Sequence, residues 1–162
     1  MATAFLLSRR PYILFRVECH DLGHPRNNCT FRHRSLVARY PTRVLDIEAF
    51  NDYLSWTHRS TPCISFFSTW HRTMAWRKWL IQQGATNVIV IAVWSKDLLR
   101  VYSAYDVAHQ LQYTSYHNGD LRRQLDHHLD EFLVCHSIHA DEYRILAIFY
   151  RNIREEFVSF SL

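Results

Sequence analysis

Arg16 interrupts the apolar run Leu14-Phe15-Arg16-Val17-Glu18, Ser65 closes Thr61-Pro62-Cys63-Ile64-Ser65, and Glu142 opens Glu142-Tyr143-Arg144-Ile145-Leu146. A guanidinium in an apolar strand is costly unless it is paired. It therefore holds Glu18 or Glu142 structurally, or it is kept for bidentate capture of a phosphate or carboxylate. Taken singly, Ser65 reads as a polar strand end and Glu142 as a solvated edge residue.

Metal and nucleophile chemistry fare less well. The chain has 11 histidines, and Cys19, His20, His24, Cys29 and His33 fall close together in a set that would suit zinc. No compact finger spacing is present, because the two cysteines stand far apart with no paired histidines behind them. A second group, His127, His128, Cys135, His136 and His139, reads as a solvated helix face plus a His-rich turn, so no metal is expected. There is no Gly-x-Ser-x-Gly elbow for a hydrolytic triad. With 3 glycines in all, a phosphate-cradling glycine loop is excluded. A nucleotide site here has to be built by another route.

The elements that would position these residues can be read from periodicity. Tyr12 to Glu18 alternates as a strand, with Ile13, Phe15 and Val17 on one face and Leu14, Arg16 and Glu18 on the other. Cys19 to Arg43 is irregular and long for a loop. Asp46 caps a helix to Trp56 on Ile47, Phe50 and Leu54. Cys63 to Phe67 is a short strand, and Ser68 or Thr69 caps a helix that ends at Gly84. Val88 to Val93 is a continuous β-branched run, expected as a central strand. Asp97 to Gln112 mixes short helical patterns with the strand-like Val101-Tyr102, and Tyr113 to Gly119 is a polar loop. Asp120 to Val134 carries Leu121, Leu125, Leu129 and Phe132 at helical spacing. Arg144 to Tyr150 and Phe157 to Phe160 close the chain as strands. The sum is one α+β domain over residues 1–162, with its core at about 12–160.

Composition sets the limits. The chain has 162 residues, 48% of them hydrophobic and 21% charged, which suits one compact domain and argues against disorder. The longest apolar run, Val88 to Trp94, is far short of the about 20 residues that span a bilayer, so no membrane partner is expected. No leader pattern is seen, and an intracellular location is the default, with a secreted mature form as the alternative. Cys19, Cys29, Cys63 and Cys135 are widely spaced and are expected to be reduced and buried. A net charge of +4, with Arg26, Arg32, Arg34, Arg39 and Arg43 gathered early, permits a phosphate-bearing ligand or a nucleic acid.

Taken in order, Arg16, Ser65 and Glu142 resemble the Arg–Ser–Glu layout of the ADP-ribosyltransferase fold. The whole run is similar to a family of uncharacterised fungal domains related to that fold. Leu14-Phe15-Arg16-Val17, Thr61-Pro62-Cys63-Ile64-Ser65, Val88-Ile89-Val90-Ile91 leading to Arg100-Val101-Tyr102-Ser103-Ala104-Tyr105, and Glu142-Tyr143-Arg144-Ile145-Leu146 carry the likeness. It extends over about residues 12 to 153. The resemblance implies a split, mostly antiparallel sheet with flanking helices that holds NAD in a cleft without a glycine loop. It implies that Arg16 holds the pyrophosphate or the nicotinamide-side ribose. Ser65 would brace the catalytic carboxylate, and Glu142 would oppose the charge that develops as nicotinamide leaves. Phe66, Phe67 or Trp70 could stack on nicotinamide. Ser68 competes with Ser65, since Ser68-Thr69 follows three residues on. Relatives that modify arginine or guanine carry a Glu or Gln two positions before the catalytic Glu, where this chain has Ala140. The expected activity is therefore an NAD-dependent ADP-ribosyltransferase or NAD glycohydrolase, acting on an unknown protein or nucleic-acid acceptor. The competitors are a silent module of the same fold and a basic nucleic-acid-binding domain.

Overall fold

A computed structural model of the chain describes residues 10–19, 29–32, 35–55, 61–114, 124–150 and 153–157, with 29–32 and 153–157 described as backbone. Among these residues the architecture is α+β. A seven-stranded sheet has the order β10-β9-β5-β1-β4-β7-β6, and a three-stranded sheet has the order β2-β3-β8. The strands are β1 (Ile13–Cys19), β2 (Cys29–Arg32), β3 (Ser35–Ala38), β4 (Cys63–Phe67), β5 (Asn87–Trp94), β6 (Val101–Ser103), β7 (Glu131–Cys135), β8 (Ser137–Ile138), β9 (Tyr143–Tyr150) and β10 (Ile153–Phe157). Every strand pair in both sheets is antiparallel.

The β-branched run Val88 to Val93 is central, as its composition requires. It lies within β5, which pairs with β1 on one side and β9 on the other and is buried almost throughout. Helix α1 (Ile47–Leu54) starts where the Asp46 carboxylate accepts from the Ala49 N–H at 2.8 Å. Helix α2 (Trp70–Gln82) starts at Thr69, whose hydroxyl accepts from the Arg72 N–H, so Thr69 rather than Ser68 is the cap. Gly84 follows α2 with φ 94°, the left-handed conformation that glycine adopts without a Cβ penalty.

Three apolar layers hold these elements together. Leu14, Ile64, Phe66, Ile91, Val93 and Val134 form one face of the large sheet, and Leu36, Ala38 and Ile138 of the small sheet cover it. On the other face α2 closes over Val17, Val88, Val90 and Ala147. Helices α1 and α3 (Ala104–Gln110) close over Cys63, Leu133 and Cys135.

Three expectations are corrected. The irregular stretch 19–43 contains the hairpin β2–β3, and residues 20–28 of it lie outside the described residues. Of the helix expected over 120–134, residues 120–123 lie outside the described residues, and the rest is not α-helical: Leu125–His128 is a single 3₁₀ turn, and Glu131–Cys135 is strand β7. Phe132, Leu133, Val134 and Cys135 are all buried, on alternating sides. On a helix four consecutive residues point around the whole circumference, so an amphipathic one would expose some of them, whereas pairing with β4 and β6 buries both faces. Of the late strands, β9 begins at Tyr143 and β10 covers Ile153–Phe157, while residues 158–160 lie outside the described residues.

The cysteine reading is corrected as well. Cys19 is buried, but Cys63 and Cys135 are joined in a disulfide. They are far apart in sequence, yet β4–β7 pairing sets them directly opposite each other. Such a bond persists in oxidising surroundings, so the cysteines lend no support to a reducing compartment. The bond closes a chain separation of 72 residues, for which the chain-entropy relation gives about 4 kcal/mol. Cys63→Ser is expected to lower Tm by about 10 °C, with no further loss when a reductant is added. Equal melting of wild type and variant under non-reducing conditions would contradict the bond.

Candidate functional site

The large sheet changes character between β1 and β4. The two strands share one backbone pair, Phe15 with Phe67. Beyond it β1 continues along β5 to the pair Cys19–Val88, while β4 continues along β7 to Cys63–Cys135. The sheet is thus split, and the Arg16 guanidinium bridges the seam. Its terminal nitrogen donates to the Ser65 carbonyl at 2.8 Å, and its Nε donates to Glu18 Oε2 at 2.6 Å. Arg16 and Glu18 stand on one face of β1 and are only 6% and 2% exposed, so neither charge could stay buried alone.

On β4 and β7 the pairs Ser65–Leu133 and Phe67–Glu131 make Ser65 and Glu131 diagonal neighbours on the same face. The Ser65 hydroxyl donates to Glu131 Oε1 at 2.6 Å. Tyr53, from α1, donates to the same oxygen at 3.2 Å. His128 Nδ1 lies 3.0 Å from the second oxygen, Oε2. With a carboxylate oxygen as acceptor, Nδ1 is the donor of this contact. Asp130, at φ 60°, turns the chain out of the 3₁₀ turn and into β7, so that Glu131 starts the strand facing Ser65. One carboxylate is thereby held by three donors from three separate elements.

The residues expected from sequence divide accordingly. Arg16 meets Ser65 at the backbone carbonyl, while the Ser65 hydroxyl turns to Glu131. Glu142 does not join them: its carboxylate accepts from the His139 N–H at 2.6 Å, at the entrance to β9. Strands β5 and β1 lie between β9 and β4, a span of about 14 Å at the usual strand spacing. The carboxylate that Ser65 braces is Glu131. Ser68 faces the other way, its hydroxyl 3.5 Å from Asp130 Oδ1. Phe67 lies under the Arg72 guanidinium, with 5.8 Å from the cation to the ring centroid. Trp70 meets Phe15 edge-on at 5.5 Å and is 44% exposed, so an aromatic face is offered beside the Phe15–Phe67 junction. Phe66 points into the opposite apolar layer and is fully buried, which removes it as a stacking candidate.

His128 is a second correction. The helical reading put it on a solvated face, but the turn buries it against Glu131. Among the described residues no three His, Cys, Asp or Glu side chains gather as a metal site, and no helix is long and apolar enough to cross a membrane. Most of the set from Cys19 to His33 lies outside those residues. Glu131 and His128 were missed because the stripe Leu121, Leu125, Leu129 and Phe132 imitates a helix. The signal that could have found them is the acid followed by four consecutive apolar residues, which is strand-like at that length.

In comparisons with known proteins, a family model described as "Domain of unknown function (DUF7587)" matches residues 9–143. No curated protein and no solved structure matches. The matched span contains Arg16, Tyr53, Ser65, His128 and Glu131.

Burial of the Tyr53 hydroxyl, and then the charge of Glu131 beside it, push the phenol well above its ordinary value. Tyr53 therefore stays a donor throughout the neutral range. A pKa raised on folding contributes stability that is complete below the unfolded value, about 10, and is lost as pH rises beyond it. Tyr53→Phe is expected to cost about 1 kcal/mol at neutral pH and to flatten the alkaline loss of stability. Denaturant unfolding across that range checks both, and parallel curves for the two proteins would contradict the assignment.

Proposed function

The chain belongs to the family described as a domain of unknown function (DUF7587), and from the site within the matched residues we propose NAD-dependent cleavage of the nicotinamide–ribose bond. The observation that carries this reading is the Ser65–Glu131 hydrogen bond beside the Arg16 bridge. It supplies the arginine, the serine and the serine-braced carboxylate of the ADP-ribosyltransferase layout, with Glu131 in the role first read into Glu142. The split sheet and the absence of a glycine-rich loop support the same reading.

The residues present fit NAD in their donor chemistry. The Arg16 guanidinium lies at the seam, and the Glu131 carboxylate and the half-exposed Trp70 indole stand on the Ser65 face beside it. NAD would supply an activated nicotinamide–ribose bond. Arg16 would hold the pyrophosphate or the adjacent ribose, and the Trp70 ring offers a face for nicotinamide. Glu131, held by Ser65, Tyr53 and His128, would accept from a ribose hydroxyl and oppose the positive charge that grows at the ribose. Preorganisation means that little reorientation is required at the moment of bond breaking. Leu129 stands two positions before Glu131, is apolar and is 52% exposed. The polar helper that arginine- or guanine-modifying relatives carry there is thus missing, which favours transfer to water and an NAD glycohydrolase.

One observation favours a second reading, a silent interaction module of the same fold. Glu18 already neutralises Arg16, and a guanidinium held by its own strand neighbour serves the fold without any ligand.

The test follows nicotinamide release from NAD. Glu131→Gln is expected to reduce turnover by about 100-fold or more, while Glu142→Gln leaves it unchanged and both variants keep their circular dichroism. Stabilisation by NAD without turnover would support the module. Loss of activity on Glu142→Gln but not on Glu131→Gln would overturn the assignment.

A further inference from the structure

The geometry points to His128 as the positioning residue of this site, the donor that holds the second oxygen of Glu131 and whose removal raises the acid limit of its work. This rests on the reading of Glu131 as the working carboxylate. Ser65 and Tyr53 share Oε1, whereas among the described residues His128 is the single hydrogen-bond partner of Oε2. Without it, one carboxylate oxygen in a largely buried site loses its donor. Protonation then becomes the cheapest way to remove an uncompensated charge.

The imidazole is well placed for such a role. It is 1% exposed, it sits in the 3₁₀ turn that feeds β7, and Tyr113 packs against it with ring centroids 6.1 Å apart. Tyr113 is anchored in turn, its hydroxyl donating to Asn51 of α1 at 2.8 Å and its N–H to the Ala108 carbonyl of α3. The ring that orients Glu131 is therefore fixed from two helices.

Other charged and polar groups stand on the elements around Glu131. Tyr53 of α1 and Ser65 of β4 donate to it. Arg16 and Glu18 of β1 are paired at the seam, with Arg16 also donating to the Ser65 carbonyl. Asp126 and Asp130 precede Glu131 in its own turn, and α3, packed on that turn, carries Asp106 and His109. Among the described residues, only His128 combines direct contact with sole occupancy of one oxygen.

The experiment titrates the Glu131 carboxyl carbon by NMR in the ligand-free chain and measures the acid limb of nicotinamide release in parallel. His128→Ala is expected to raise the Glu131 midpoint by about one pH unit and to move the acid limb by the same amount. His128→Asn places an amide N–H where Nδ1 stood and is expected to restore both values. His128→Gln places its amide where Nε2 stood and is expected not to restore them, which keeps the test decisive if the alanine variant fails to fold. A shifted titration in a chain that never cleaves NAD supports the positioning role and refutes the NAD reading alone. A Glu131 midpoint that is equal in wild type, His128→Gln and His128→Asn would overturn the inference.

Discussion

A carboxylate largely buried against a sheet survives there only when its oxygens are occupied, and among the described residues Glu131 meets that condition with three donors. Much of the local structure follows from this one requirement. Helix α1 must bring Tyr53 down onto the sheet. Strand β4 must hold Ser65 one diagonal step away, and the turn before β7 must fold so that His128 looks back at the residue three positions on. The Cys63–Cys135 disulfide ties β4 to β7 at the far end of the same pairing, so the serine and the carboxylate share a fixed register.

The seam between β1 and β4 imposes the second constraint. A sheet that loses its ladder after one pair leaves strand carbonyls in need of donors. Arg16 provides one to Ser65, and Glu18 makes its burial tolerable. The same guanidinium thus closes a gap in the fold and stands next to the serine-braced acid. Structural pairing with Glu18, one of the two partners open to Arg16 on sequence grounds, is the arrangement adopted. That pairing is compatible with a ligand role only if an incoming anion can compete with Glu18.

Local chemistry made part of this legible in advance. The Asp46 and Thr69 caps, the turn at Gly84 and the β-branched strand around Val90 rest on neighbouring residues, and periodicity reports them. Arg16 and Ser65 were also visible, because polar groups inside apolar strands need a reason. Glu131 and His128 were hidden for a physical cause. Leu125, Leu129 and Phe132 fall on a helical stripe, and only pairing with β4 decides that the segment is a turn followed by a strand. Register between distant strands likewise decides that Ser65 meets Glu131, and it leaves Glu142 two strands beyond the seam. The disulfide escaped notice for the same reason.

The most direct measurement of the central claim is a crystal structure of the chain with a non-cleavable NAD analogue. The account predicts the analogue in the β1–β4 seam, with a ribose hydroxyl hydrogen-bonded to Glu131 and its phosphates drawing Arg16 away from Glu18. An analogue bound elsewhere, with the Glu131 network and the Arg16–Glu18 pair untouched, would contradict it.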